Sequence, residues 1–277
     1  MNKKSTLLQR FVAAPYVVWS VLFIVIPLIM VMYYTFTDAD GAFTFENIVQ
    51  MCETDYLVIF ARSVCYAFIA TIVCLIIAFP LAYFISQSGP RMQKFAMMLT
   101  MLPMWTNLII RTYSLRKLIE DTGVINNLFG LTDSPIHMIY TPFAVILGMV
   151  LNYLPYMVLP IYTVISKLDK SVIEASQDLG CSRFNVVRKV IIPLSKSGIV
   201  SGITMVFVPA ISTFYISAKL GGTNCRLIGE EIEAAFMANS DQNFGSAISF
   251  VLMILIMLSI AVLNKFSDDK EEGGMIL

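Results

Sequence analysis

The sequence is poor in charge and in the residues that build polar active sites. Only 14% of its 277 residues are Asp, Glu, Lys or Arg, against about 25% in soluble domains. Histidine occurs once, as His137, and tryptophan twice. Nineteen basic residues balance nineteen acidic ones, so the chain lacks the basic excess that nucleic-acid binding needs. Its hydrophobic content of 57% excludes a disordered chain and favours a membrane protein.

The charged residues are absent from long continuous runs. Six stretches contain no Asp, Glu, Lys or Arg, and five of them reach the about 20 residues that a helix needs to cross a bilayer. We expect the third, shorter run to continue past Arg111 to Tyr113. The runs are Phe11–Thr37, Ser63–Pro90, Phe95–Ile110, Ser134–Ser166, Ser197–Ala218 and Gln242–Asn264. The sequence therefore predicts an all-α, multi-pass membrane protein with six transmembrane helices in residues 11–264.

Basic residues are distributed unevenly between the two sides of this topology. The termini and the segments after spans two and four hold thirteen Lys and Arg residues, and the opposite side holds six. Because basic residues accumulate on the cytoplasmic side, we predict that the N-terminus (1–10) and the C-terminal tail (265–277) are both cytoplasmic. Acidic residues show the opposite bias, with twelve outside and seven inside.

The longest cytoplasmic segment, 166–193, has the pattern of two short helices. Ser171 and Glu174 have the spacing of a capping box. Gly180 stands where a helix can end in a left-handed residue, and Ser182 can cap a second helix. The predicted apolar faces are Val172, Ala175, Ser176 and Leu179 in the first helix, and Phe184, Val187 and Ile191 in the second. By itself this pattern fits a hairpin on the membrane surface as well as a docking element.

The spacing within this segment resembles a known signature. Glu174-Ala175-Ser176, Gly180 and Val190-x-Ile192-Pro193 fall in register with E-A-A-x3-G-x9-I-x-L-P, the EAA loop of ABC importer permeases. Ser176, Val190 and Ile192 replace family residues with small or apolar ones.

The resemblance to permeases of the polyamine-importing type extends along nearly the whole chain. It rests on Phe79-Pro80-Leu81-Ala82-Tyr83, Leu102-Pro103-x-Trp105, Arg111-x-Tyr113, Phe214-Tyr215-Ile216-Ser217, Gly221-Gly222 and Leu227-Ile228-Gly229. One departure is Ala218-Lys219, where the family pattern has an acidic residue before the double glycine.

The resemblance implies a permease subunit of a bacterial inner-membrane ABC importer for spermidine and putrescine. Such a subunit forms half of the pathway with a second permease subunit and works with two cytoplasmic ATPases and an external binding protein. It is not an enzyme and needs no cofactor, and the sequence contains no G-x-x-x-x-G-K-[ST] phosphate loop. A single histidine without a Cys/His cluster gives no metal site. The residues implied in ATPase coupling are Glu174, Ala175, Ser176, Asp178, Gly180, Phe184 and Pro193.

A polyamine is a flexible polycation, so its pathway needs aromatic faces and hydrogen-bond acceptors. We expect Arg111 to repel it and to have a structural role, paired or reaching the outer interface. The candidate pathway residues are Trp105, Asn107, Tyr113, Tyr153, Tyr156 and Tyr215, with Asn152 as a polar neighbour. Each aromatic residue among them also fits ordinary interfacial placement.

Other interpretations stay open at this point. The same type of ABC permease for another small solute is the main alternative. A secondary transporter driven by an ion gradient fits less well, because the runs contain no carboxylate and no paired half-helices. Gly198-x-x-x-Gly202 predicts close helix packing, and Cys52 and Cys225, both on the outer side, could form a disulfide.

Overall fold

The computed structural model describes residues 15–130, 135–238 and 241–268, and these residues are mainly helical. Within them the β-structure is one isolated bridge, between Thr37 and Phe43, which confirms the predicted all-α class. The helices are α1 (Pro15–Thr35), α2 (Glu46–Met51), α3 (Thr54–Gln87), α4 (Pro90–Met101), α5 (Leu108–Ile119), α6 (Val124–Leu128), α7 (Pro142–Ile165), α8 (Lys170–Asp178), α9 (Arg183–Leu194), α10 (Lys196–Ile211), α11 (Tyr215–Leu220), α12 (Ile228–Met237) and α13 (Gln242–Asp268). The predicted N-terminal segment 1–10 and residues 269–277 of the predicted tail lie outside the described residues.

Four described helices are long and apolar enough to cross a membrane, namely α1, α3, α7 and the part of α13 from Gln242 to Lys265. They coincide with the first, second, fourth and sixth uncharged runs. A fifth candidate span consists of α9 and α10, which meet at Ser195 with a bend of 71°. The count of six spans therefore stays a prediction.

The third and fifth runs do not form the single helices that we expected. The third is broken: α4 ends at Met101, a 3₁₀ turn follows at Leu102–Trp105, and α5 starts at Leu108. Pro103 in this turn has no N–H to donate, which weakens the α-helical pattern there. The fifth run continues to Ala218, but α10 ends at Ile211. An uncharged run reports an apolar environment, and it does not require one continuous helix.

The chain divides into two compact units. The first comprises Met1–Leu57 and Glu231–Leu255. Its described part contains a cluster of aromatic rings in which the centroid of Phe36 lies 5.7 Å from that of Phe45 and 5.8 Å from that of Phe250. Two amide side chains order the loop after α1, because Asn47 and Asn243 both donate to the carbonyl oxygen of Thr37, at 3.0 and 2.7 Å.

The second unit comprises Val58–Glu230 and Ile256–Leu277, and α7 lies at its core. Helix α10 packs closely against α7. A Cβ added at Gly198 would lie 2.8 Å from the carbonyl oxygen of Pro160, and one at Gly202 would lie 2.7 Å from Sδ of Met157. The predicted close packing of the Gly-x-x-x-Gly pair is therefore confirmed, and its partner is a helix of the same chain.

Candidate coupling segment and solute pathway

Residues 166–193 are the candidate coupling segment. Its first helix, α8, is capped by a residue that the sequence analysis did not identify. Asp169 precedes the helix, and its Oδ1 accepts a hydrogen bond of 3.0 Å from the backbone N–H of Ser171. This hydrogen bond to its charged form lowers the pKa of Asp169. The predicted capping box is therefore wrong, because Ser171 lies inside the first helical turn. Glu174 is thereby left without a capping role, and its side chain is exposed.

The end of α8 and the start of α9 follow the prediction. Gly180 has φ +82°, the left-handed conformation, and the N–H of Cys181 donates to the carbonyl oxygen of Ser176 at 3.1 Å. A Cβ added at Gly180 would meet no atom within 4 Å, so only the backbone conformation selects glycine here. Ser182 caps α9, with its Oγ accepting from the N–H of Asn185 at 3.4 Å.

Helix α9 contains a π-helical segment, Val187–Ile191, in which the N–H of Ile192 donates to the carbonyl oxygen of Val187. Pro193 follows immediately and has no N–H to give to the residue four positions earlier. The π turn adds a residue and changes which side chains share a face. Val186 and Ile191 are buried, whereas Phe184, which the sequence pattern placed on one face with Val187 and Ile191, is 72% exposed.

The coupling segment thus presents apolar side chains to its surroundings. Leu179 is 87% exposed, and Phe184 lies on the other side of the Gly180 turn. Val172 is also exposed. Exposed apolar groups of this size beside charged ones are typical of an interaction surface.

The candidate pathway residues on α5 and on the turn before it have different environments. Trp105 is 87% exposed. Asn107 is the N-cap of α5, where its Oδ1 accepts from the N–H of Ile109 at 2.7 Å, so its amide is used within the chain. Tyr113 is exposed, and Nζ of Lys117 lies 5.8 Å from the centre of its ring. The ring face of Tyr113 therefore already has an ammonium group of its own chain over it.

The remaining candidates lie on α7 and α11. Tyr153 is buried and donates from its hydroxyl to the carbonyl oxygen of Pro209 at 3.2 Å, and its ring centroid lies 6.4 Å from that of Tyr156. Nζ of Lys219 lies 5.7 Å from the centre of the Tyr215 ring. Within the described ranges, Tyr153 and Tyr156 are the only two of the six candidates that a ring contact or hydrogen bond joins to each other.

Two cavities were not anticipated from the sequence. One, of about 440 Å³, lies beside Trp105 and α4. Its other lining residues are Lys94, Met97, Met98, Met101 and Leu102. The other, of about 790 Å³, lies in the first unit and carries the carboxylates of Asp38, Asp40 and Asp241 beside Tyr33 and Tyr34. The signal in the sequence was the pair of tyrosines near the end of the first run, with Asp38 and Asp40 just after that run.

Polar contacts near the end of α5 form a cluster of ion pairs. Glu120 accepts from Nε of Arg116 and from Nζ of Lys117, each at 2.9 Å. These two hydrogen bonds lower the pKa of Glu120. Nη2 of Arg116 also donates to the hydroxyl of Tyr140 at 2.9 Å. His137 Nδ1 lies 2.9 Å from Oδ2 of Asp121.

The two outer cysteines are unpaired. Cys52 is exposed and Cys225 is buried, and each is a free thiol. The conceivable disulfide between them is therefore absent. Among the described residues, no group of three or more His, Cys, Asp or Glu side chains could hold a metal ion.

The long apolar helices are those of a helical membrane protein, and comparison with known proteins specifies the family. Residues 78–271 match the family described as "binding-protein-dependent transport system inner membrane component", to which the chain belongs. It is an inner-membrane component of a binding-protein-dependent transport system and not an enzyme.

Individual relatives cover most of the chain. The spermidine/putrescine transport system permease protein PotB of Salmonella typhimurium (strain SL1344) is 35% identical over 269 residues, 94% of each chain. That of Escherichia coli (strain K12) is 36% identical over 253 residues, 88% of this chain and 92% of the relative. The fold is similar to that of a bacterial ABC transporter involved in the import of the acidic polysaccharide alginate, with a TM-score of 0.77, 14% identity, and coverage of 95% of this chain and 96% of the other.

Proposed function

We propose that this chain is a permease subunit of an ATP-driven importer for polyamines, with spermidine and putrescine as its solutes. The observation that carries the proposal is the identity of 35–36% to two spermidine/putrescine permeases over 88–94% of this chain. The structural relative that imports alginate shares only 14% of its residues and supports the fold alone.

The acidic cavity of the first unit supports a cationic solute. Three carboxylates and two tyrosine rings line a space of about 790 Å³, and both kinds of group attract ammonium ions. One of the carboxylates also holds the loop in place, because Oδ1 of Asp38 accepts from the N–H groups of Asp40 and Ala42 at 3.0 and 2.8 Å. Attraction to this cavity would raise the local concentration of a polycation before it enters the pathway.

We further propose that the coupling segment docks on the ATPase. The exposed side chain of Glu174, the left-handed Gly180 and the exposed ring of Phe184 support this role. The docking surface consists of Glu174, Ala175, Ser176, Asp178, Gly180, Phe184 and Pro193, to which the structure adds the exposed Leu179. A hairpin lying on the lipid surface would use the same apolar groups, so docking has to be tested directly.

The topology belongs to the same proposal. We infer six spans within residues 11–264, with the broken third run crossing as α4 and α5, and both termini in the cytoplasm. The chain would form half of a pathway with a second permease subunit and would act with two ATPase subunits. For solute contact in the pathway we retain Trp105 and Tyr156. The other candidates already have a hydrogen bond or a nearby ammonium group within the chain.

Transport by the complete assembly tests the proposed function. The permease pair, the ATPase and the binding protein are reconstituted in proteoliposomes, and uptake of radiolabelled spermidine and putrescine is measured with ATP inside. We expect ATP-dependent uptake of both, with no requirement for an ion gradient. ATP-dependent uptake of another solute class without either polyamine would overturn the assignment and favour the alternative, the same type of permease for a different small solute.

A further inference from the structure

Arg111 is a half-buried charged residue on α5, in the second unit. Its Nε and Nη1 atoms are buried and have no hydrogen-bond partner among the described residues. The ion pairs of the described chain involve other residues. An arginine keeps its charge under all ordinary conditions, so this site cannot become neutral by losing a proton.

Three observations relate α5 to α7. Nη2 of Arg116 donates to the hydroxyl of Tyr140, just before α7, and a Cβ added at Gly148 would lie 3.8 Å from Cδ2 of Leu115. The charge of Arg111 lies close enough to Tyr153 to affect it electrostatically. Residue numbers that fall along α5 correspond to numbers that rise along α7, so the two helices are antiparallel.

The described residues give the shielded N–H groups of Arg111 no acceptor. Oγ1 of the adjacent Thr112 is also buried without a hydrogen-bond partner, so it does not bond to the guanidinium. The Tyr153 hydroxyl is already bonded to the carbonyl oxygen of Pro209. Shielding the N–H groups of a cation in a membrane segment is costly unless an anion or several acceptors reach them.

If the proposed function holds, the solute does not supply the anion, because a polyamine is itself a cation and a guanidinium repels it. The side of α5 next to Arg111 is, however, open. Ile110, Ser114 and Leu118 are spaced four residues apart, so they form one row along the helix, and all three are exposed. Small Ser114 in the middle of this row permits close approach of another helix.

We propose that Arg111 pairs with a carboxylate of the second permease subunit, and that the row Ile110, Ser114 and Leu118 packs against that subunit beside the ion pair. This inference rests on the proposed assembly of two permease subunits. Arginine side chains commonly change rotamer when an interface forms, which would bring the guanidinium out to the partner's carboxylate. The pair would fix the register between the two subunits in a membrane, where apolar contact alone is not selective.

The test measures assembly of the full complex. The tagged chain carries Arg111→Glu, and the amount of second permease subunit that co-purifies is quantified after extraction in mild detergent. We expect about a 30-fold or larger loss of association. The matched control is Arg62→Glu, since Nη1 of Arg62 donates to the carbonyl oxygen of Asn224 within this chain; its association should be unchanged.

Charge reversal then separates an interface role from a folding role. In the Arg111→Glu background, each Asp and Glu in the apolar spans of the second subunit is changed singly to Arg, and one of these should restore assembly and uptake. Restoration by none of them overturns the inference, including the case in which Arg111→Glu removes the chain from the membrane. Normal assembly of Arg111→Glu with an altered KM for the solute also overturns it, and so does normal assembly with lost lipid retention, which would assign Arg111 to a lipid phosphate. Failure of the unmodified chain to bind any second permease subunit would refute the proposed assembly itself.

Discussion

Gly180 offers a sharp test of the coupling segment, because its environment isolates a single physical effect. Its φ is +82°, and a Cβ added there would meet no atom within 4 Å. A side chain at this position therefore costs only the strain of the left-handed conformation, about 1–2 kcal/mol. That cost applies to the turn between α8 and α9 and leaves the packing of the spans unchanged.

We expect Gly180→Ala to weaken association with the ATPase about 5- to 30-fold, the factor that 1–2 kcal/mol represents, and Gly180→Leu to lose at least as much. Gly180→Asn should retain most of the affinity, since asparagine tolerates the left-handed region. Affinity is measured between the purified permease pair and the ATPase in nanodiscs, and the membrane level of each variant serves as the insertion control. Unchanged affinity in Gly180→Ala, or equal losses in the alanine and asparagine variants, would refute the reasoning.

Three further predictions concern the coupling segment and the contact between α7 and α10. Leu179→Ser and Phe184→Ser should each lower ATP-dependent uptake while protein level and thermal stability of the permease stay as in the unmodified chain, because both side chains are exposed; a fall in stability without a fall in coupling would contradict the docking role. Gly198→Ala should destabilise the permease by about 1–3 kcal/mol through overpacking against α7, measured by thermal unfolding in detergent, whereas the exposed neighbour Ser197→Ala should have little effect. The pKa of Asp169 is lowered in the folded chain, so its stabilisation of α8 is present above the ordinary aspartate pKa and is lost as the pH falls through the lowered value. The protection of α8 amides from hydrogen exchange, taken relative to the intrinsic exchange rate at each pH, should therefore fall over that acidic range, and Asp169→Ala should abolish this pH dependence.

The coupling segment shows how far local patterns could be followed. Gly180 and Ser182 were predicted correctly, because left-handed termination and N-capping depend on a few consecutive residues. Ser171 was assigned as a cap wrongly, since the helix begins at Lys170 and Asp169 caps it by accepting from the N–H of Ser171. Phe184 was placed on one face with Ile191 by a regular period of 3.6 residues, and the π segment that follows Phe184 changes that period.

The pathway residues show the opposite situation. Trp105, Tyr113 and Tyr215 were chosen for their chemistry, which is visible in the sequence. Whether a ring is available to a solute depends on which cation reaches it first, and Lys117 and Lys219 lie one helical turn from Tyr113 and Tyr215. That spacing was a usable signal that the sequence analysis did not apply.

By itself the sequence determined the class of this protein. Uninterrupted apolar length and the scarcity of charge require a helical membrane protein, since every backbone polar group must be bonded within a span, and the spacing of the coupling segment indicated the family. The tertiary structure decided what depends on contacts between distant residues. It placed Gly198 and Gly202 against α7, and it shielded Nε and Nη1 of Arg111 without giving them a hydrogen-bond partner among the described residues. Burial and pairing arise when helices far apart in sequence pack together, so no local pattern contains them.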